Sequence, residues 1–333
     1  MRSIKSVCFI VSSGKHYGYG HLMRCVALAQ EFRRNNFKIF FLIKKKINFE
    51  GYSILKKYKF NIINFIDKYN KRYSEVDYLV EKKLLKFQFI VIDGYKYNIY
   101  WQKYFYKKIK KNNTLKLIKI DDFLKKNLCD YFIFFNSKVK ITKRVKSLFS
   151  SNCKLFIGPE YALLRDEIIS LKFYLQKKNF SKNIYVSAGG VNWHNFSSRI
   201  MNLINLLKII KEFKIFIFSN NKNYKNNKKI YFFKKLSDQN NILKKKPLVI
   251  GYAGYSSIER AVLGLKSVCF RLNENQNRIY SFLRKKKLIY GVKNILDKSS
   301  FKSSLLSCIL DNKEIKSPYN IYGKKIFLKK INI

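Results

Sequence analysis

A chain of 333 residues, 47% of them apolar, carries enough material for two cores of ordinary size, which excludes a disordered polypeptide. A total of 70 Lys and Arg against 20 acidic residues gives a formal net charge of +50, a balance that draws anionic partners. The cations lie in short runs such as Lys44 to Lys46, Lys244 to Lys246 and Lys285 to Lys287, in a sequence rich in Lys, Asn, Ile, Phe and Tyr, so AT-rich coding accounts for the charge better than a nucleic-acid-binding arm does.

The N-terminal stretch MRSIKSVCFIVSS holds an apolar run too brief for the core of a secretion signal, and no uncharged stretch approaches the ~20 residues of a spanning helix. A cytoplasmic protein with no transmembrane segment is expected. SVCFIV reads as a first strand, Leu22 to Asn35 as a helix and KIFFLI as a second strand. FNIINF and FQFIVID continue the strands, the latter ending at Asp93, and LKLIKIDD repeats the device at Asp121 and Asp122.

A second series opens near Asn183 with NIYVSAGG, a strand running into Gly189 and Gly190, followed by a helix over Phe196 to Phe213. KIFIFSN, KIYFF and PLVIGYAG are further strands, SSIERAVLGL a helix after Gly254, and SVCFRL another strand. Between them NNKNYKNNKK is a solvated low-complexity loop. Apolar strands alternating with amphipathic helices define an α/β protein of parallel sheets. Two Rossmann-like domains facing a central cleft are expected, 1–168 and 169–333. The six cysteines are far apart and form no C-x-x-C pair, so neither a disulfide framework nor a zinc site is indicated.

Glycine turns carry the candidate chemistry. In GYGHLMRCVALA, Gly18 and Gly20 stand between a strand and a helix, where free backbone N–H groups and the positive end of the helix dipole receive an anion. The same dipole opposes a proton on His21 and suits it to general-base work. A plain helix cap is the alternative, although the chain has only three histidines, His16, His21 and His194. Arg24, one turn on, would either fix the loop or meet a phosphate. In GYAGYSSIERAVLGL, Gly251, Gly254, Ser256 and Ser257 would wrap a diphosphate, with Glu259 on a ribose diol. Alternatively Ser256 caps the helix and Glu259 completes a capping box. ENQ places Glu274, Asn275 and Gln276 where a loop reaches sugar hydroxyls or amides. VIDGYKYN puts Asp93 and Tyr95 at a strand end, and LFIGPEYALLRDE, with Tyr161 and Arg165, reads by default as an interdomain connection.

Taken together, GYGHLMRCVALA, VIDGYKYN, IDD, GPEYALLRDE, SAGGVNWHN, GYAGYSSIERAVLGLKSV and ENQ resemble the nucleotide-sugar hydrolases of the pseudaminic acid pathway. These enzymes act on UDP-2,4-diacetamido-2,4,6-trideoxy-β-L-altropyranose and are related to the GT-B glycosyltransferases. The resemblance implies a GT-B-like fold and a reaction in which water attacks the anomeric carbon and expels UDP with inversion, without metal or cofactor. It implies that His21 positions or deprotonates the water and that Tyr95 stands near the reaction centre. It further implies that Asn275 and Gln276 contact the sugar and that Glu259 holds the uridine ribose. The candidate site is then His21 and Tyr95 as catalytic residues, with Gly18, Gly20, Arg24, Tyr161, Arg165, Gly189, Gly190, Asn275 and Gln276 on the substrate. Gly254, Ser256, Ser257 and Glu259 complete it on the nucleotide.

The partners expected are a UDP-sugar and water, no specific nucleic acid, and weak contact with acidic membrane surfaces. The chain departs from the family at Ser12, Ser13 and Lys15 before the glycine turn and at Asn192 and Trp193 after the second glycine pair, changes that bear on the sugar more than on the reaction. The rival readings are a GT-B glycosyltransferase using a nucleotide-sugar donor, a nucleic-acid binder, and a non-catalytic relative.

Overall fold

The computed structural model describes residues 5–12, 18–44, 49–65, 73–82, 86–109, 114–187, 196–205, 212–218, 228–233, 238–271, 274–295 and 297–333. The chain divides into two units, Met1–Arg165 with Asn320–Ile333, and Asp166–Tyr319.

The first unit runs β1 (Ser6–Val11), α1 (Gly20–Arg34), β2 (Lys38–Lys44), α2 (Phe49–Lys57), β3 (Asn61–Phe65), α3 (Ser74–Glu81), β4 (Phe89–Asp93), α4 (Ile99–Ile109), β5 (Lys116–Ile120), β6 (Tyr131–Phe134), α5 (Lys143–Lys146) and β7 (Lys154–Ile157). Its strands form one parallel sheet in the order β3-β2-β1-β4-β5-β6-β7. Every residue of β1 and β4 is buried, as central parallel strands covered on both faces must be. That is why SVCFIV and FIVI read as continuous apolar runs. A core of Cys8, Ile10, Ile90, Ile92, Trp101, Phe105, Leu117 and Phe132 lies on one side of the sheet. The order reverses between β1 and β4, so the carboxyl ends of these two strands border the crevice where open α/β sheets bind ligands.

The second unit runs α6 (Asp166–Leu175), β8 (Asn183–Ser187), α7 (Phe196–Asn205), β9 (Lys214–Phe218), β10 (Ile230–Phe233), α8 (Gln239–Leu243), β11 (Leu248–Tyr252), α9 (Tyr255–Val262), β12 (Ser267–Phe270), α10 (Glu274–Lys285), β13 (Tyr290–Val292) and α11 (Lys298–Leu310). Its sheet is again parallel, β10-β9-β8-β11-β12-β13, and reverses between β8 and β11. Gly251 of β11 is required by close approach: a Cβ there would stand 2.4 Å from the Ser187 carbonyl oxygen and 2.9 Å from Arg260 Nη1.

Two features differ from the sequence reading. The strands β6, β7 and β13 carry short apolar runs of three or four residues that the sequence analysis did not separate from loops. The C-terminal stretch, expected to belong with 169–333, instead returns to the first unit as α12 (Gly323–Lys330). Its Phe327 ring packs edge-on against Phe156 at 4.8 Å, and a Cβ at Gly323 would stand 2.4 Å from both the nitrogen and the oxygen of Ala162. Burying Phe327 and Leu328 provides the driving force for that return.

Candidate active site

The start of α1, entered through Gly18, brings His21 to the switch point of the first sheet. Gly18 has φ +69, a left-handed conformation with open space at its α carbon, and Gly20 opens the helix. Leu22, Cys25, Val26, Ala29 and Phe32 bury the inner face of α1, which fixes the azimuth of His21 and of Arg24 one turn later.

Asp93, the last residue of β4, is fully buried and meets both. His21 Nδ1 is 2.7 Å from Asp93 Oδ1. Arg24 donates from Nε to Asp93 Oδ2 at 2.5 Å and from Nη2 to Asp93 Oδ1 at 2.6 Å. Its Nη1 donates to Asp122 Oδ1 at 2.5 Å. Asp122 also accepts from Asn136 Nδ2 and from the Tyr95 hydroxyl, both at 2.8 Å. The Tyr95 ring lies edge-on to the imidazole, 5.0 Å between centroids.

Two charged groups bear on the imidazole Nδ1. Burial works to raise the Asp93 carboxyl, but the charge and hydrogen bonds of Arg24 hold it below its ordinary value. Asp122 is likewise driven upward by burial and brought well below the carboxylate range by Arg24. Nδ1 lies between an ionised Asp93 oxygen, which only accepts, and Arg24 Nη2 at 2.9 Å, which only donates. A proton on Nδ1 donated to Asp93 leaves Nε2 its lone pair, the arrangement of a histidine general base oriented by a buried carboxylate.

The turn beyond Asp93 is held from several sides. Gly94 has φ +141, and a Cβ there would collide with the Ser12 side chain. The buried Lys119 donates to the Gly94 carbonyl at 3.1 Å and pairs with Asp121 at 3.4 Å. These contacts fix Tyr95 relative to His21.

The remaining expected residues fall into distinct groups. Arg24, assigned to the substrate by the sequence analysis, is 3% exposed with its fork occupied by two carboxylates; its geometry is that of a positioning residue. Tyr161, also assigned to the substrate, is buried in a 3-10 turn, and its hydroxyl accepts from Lys330 Nζ of α12 at 2.6 Å. It anchors the C-terminal helix. Arg165 is half-buried at the end of the first unit.

In the second unit, Gly254 is the N-cap of α9 in an extended conformation, and no side chain caps that helix. The capping box of Ser256 with Glu259 is therefore not adopted. Ser257 is buried and donates its hydroxyl to the Gly254 carbonyl at 2.6 Å, shaping the turn rather than presenting the hydroxyl outward. Ser256 is half-buried in the first turn and Glu259 is buried one turn further on. Gln276 Nε2 lies 3.8 Å from the position a Gly254 Cβ would take, so these two expected residues are neighbours. Asn275 is in the first turn of α10, with its side chain outside the described residues, and Gly189 and Gly190 are outside them altogether.

Asp93, Asp122, Asn136 and Lys119 were not among the residues expected in the site from the sequence. The acid-terminated strands FQFIVID and LKLIKIDD carried the signal for the two aspartates. Asn136 follows β6, a strand not recognised, and had none.

Two all-parallel α/β units, of seven and six strands among the described residues, define a GT-B-like fold. The architecture is similar to that of UDP-GlcNAc 2-epimerase from Methanocaldococcus jannaschii, with a TM-score of 0.61 at 11% identity over 98% of this chain and 99% of that one. No protein-family model matches the sequence. Among curated proteins, the chain is 26% identical over 300 residues to UDP-2,4-diacetamido-2,4,6-trideoxy-β-L-altropyranose hydrolase of Campylobacter jejuni, covering 84% of this chain and 96% of that one. It is also 25% identical over 321 residues to an uncharacterized protein of Methanocaldococcus jannaschii, spanning 84% of this chain and 58% of that longer relative.

Proposed function

We propose that this protein is a UDP-sugar-processing enzyme that hydrolyses a UDP-linked 2,4-diacetamido-2,4,6-trideoxy sugar, a step in pseudaminic (nonulosonic) acid biosynthesis. The observation that carries the reading is the His21–Asp93 pair at the switch point of the first sheet, in a chain similar to a hydrolase of that substrate. His21 Nε2 takes a proton from water as the water oxygen attacks the anomeric carbon. The bond from that carbon to the diphosphate oxygen breaks, and UDP leaves with the electron pair. Attack opposite the leaving group inverts the anomeric centre.

Asp93 and Asp122 against one Arg24 leave a net negative charge beside Nδ1 to balance the incoming proton. Tyr95 stands against the imidazole and is held by Asp122. In the second unit the start of α9, with Gly254, Ser256 and Glu259, is the element we assign to the nucleotide, because a helix N-terminus offers free N–H donors to a diphosphate. UDP is a good leaving group, so the reading needs no second carboxylate as acid.

The test is UDP release from the diacetamido-trideoxy-altrose donor without acceptor, comparing the unaltered protein with His21→Ala. Acceptor-independent release that falls by about 100-fold or more in the variant is expected. Release only when an acceptor is added would identify a glycosyltransferase, and equal release by both proteins would remove His21 from its role.

A further inference from the structure

Two cysteines precede neighbouring strands of the first sheet. Tyr131 of β6 is in register with Lys154 of β7, and the Lys154 N–H donates to the Asp130 carbonyl at 2.9 Å. Cys129 and Cys153 therefore enter adjacent strands side by side, with Cys129 Sγ and Cys153 Sγ 3.7 Å apart. A disulfide needs about 2.05 Å, so closing the bond asks for roughly 1.7 Å of approach.

The two thiols differ in access. Cys153 is half-buried and reaches solvent, whereas Cys129 is buried, as are Cys8, Cys25, Cys269 and Cys308. Among the described residues no group of three His, Cys, Asp or Glu side chains could hold a metal ion, so the pair is not part of such a cluster. It lies at the amino ends of β6 and β7, whereas His21 and Asp93 border the carboxyl ends of β1 and β4.

We propose that Cys129 and Cys153 form a peroxide-oxidisable dithiol that closes to an intramolecular disulfide. The accessible Cys153 sulfur attacks a hydroperoxide oxygen, breaking the O–O bond to give the sulfenic acid and the alcohol, or water from hydrogen peroxide. Cys129 Sγ then attacks the Cys153 sulfur. The S–S bond forms, the sulfenic hydroxyl leaves, and with the Cys129 proton it becomes water. In sum two thiols lose two electrons and two protons, and the peroxide is reduced.

The full-length protein is treated with a few equivalents of hydrogen peroxide, denatured in maleimide, digested and weighed. Two of the six thiols are expected to disappear, with the peptides of Cys129 and Cys153 joined and the chain lighter by two hydrogens, and dithiothreitol restores both. In Cys129→Ser the reaction stops at a Cys153 sulfenic acid that dimedone traps; in Cys153→Ser the Cys129 thiol persists. Dimedone-labelled Cys153 in the unaltered protein without a joined peptide, disulfide-linked dimers, or no loss of thiol would each overturn the proposal. The unaltered protein alone decides the outcome, so a variant that fails to fold leaves the test intact.

Discussion

At the scale of single residues, Asp93 is the group on which the arrangement depends. It receives His21 Nδ1 and two Arg24 nitrogens while fully buried. Asp93→Asn puts an amide where three donors converge, which removes the charge and favours the wrong imidazole tautomer. UDP release should fall by about 10³- to 10⁴-fold, with KM changed far less, as steady-state kinetics would record. The same carboxylates make stability depend on acid. The Asp93 and Asp122 carboxyls are held below their ordinary values in the folded chain, so the folded state binds fewer protons there than the unfolded one. Their contribution is complete above the ordinary carboxylate range, about pH 4, and is lost as pH falls through the folded-state values. Urea midpoints should decline below about pH 4, and Asp122→Asn should flatten that decline. His21 was legible in the sequence because a glycine turn before a helix is a local pattern, whereas the reach of Arg24 toward two carboxylates was not. The sequence reading put Arg24 on the substrate, and the structure places its guanidinium among Asp93, Asp122 and Phe135.

At the scale of elements, the C-terminal helix offers the sharpest test. Exchanging a helical Gly for Ala gains about 1 kcal/mol from helix propensity alone. Gly323→Ala should nevertheless destabilise by about 1–3 kcal/mol, because the added methyl meets the backbone of Ala162 at 2.4 Å. Phe327→Ala should cost about 3–5 kcal/mol by emptying the site against Phe156. Denaturant melts of both variants, with limited proteolysis after residue 319 as a local readout, would measure these effects. GKKIFLKK gave little warning of such a role, because four lysines mask two buried apolar residues. The central strands were plain in the sequence, since burial on both faces demands an unbroken apolar run. β6 and β7 were too short for such a run to stand out.

At the scale of the whole molecule, the net charge of +50 sets the response to salt. Like charges repel in the folded state and attract any polyanion. Added salt should raise the melting temperature, and binding to mixed-sequence DNA should fall by about 10³-fold or more between 50 and 200 mM salt with no sequence preference. Binding that persisted at high salt with a preferred sequence would instead establish a nucleic-acid role. No helix among the described residues is long and apolar enough to cross a membrane. The amino-acid sequence by itself determined the α/β class, most of the central strands, the glycine turns and the placing of His21 at a helix start, because strand runs, helical periodicity and turn residues are signals read over a few neighbours. Only the tertiary structure decided strand order, the return of α12 to the first unit and the ion network that joins His21 to Asp93 across 72 positions and Arg24 to Asp122 across 98. The physical reason is that a buried charge takes as its partner whichever opposite charge folding brings within reach, and no local pattern records that meeting.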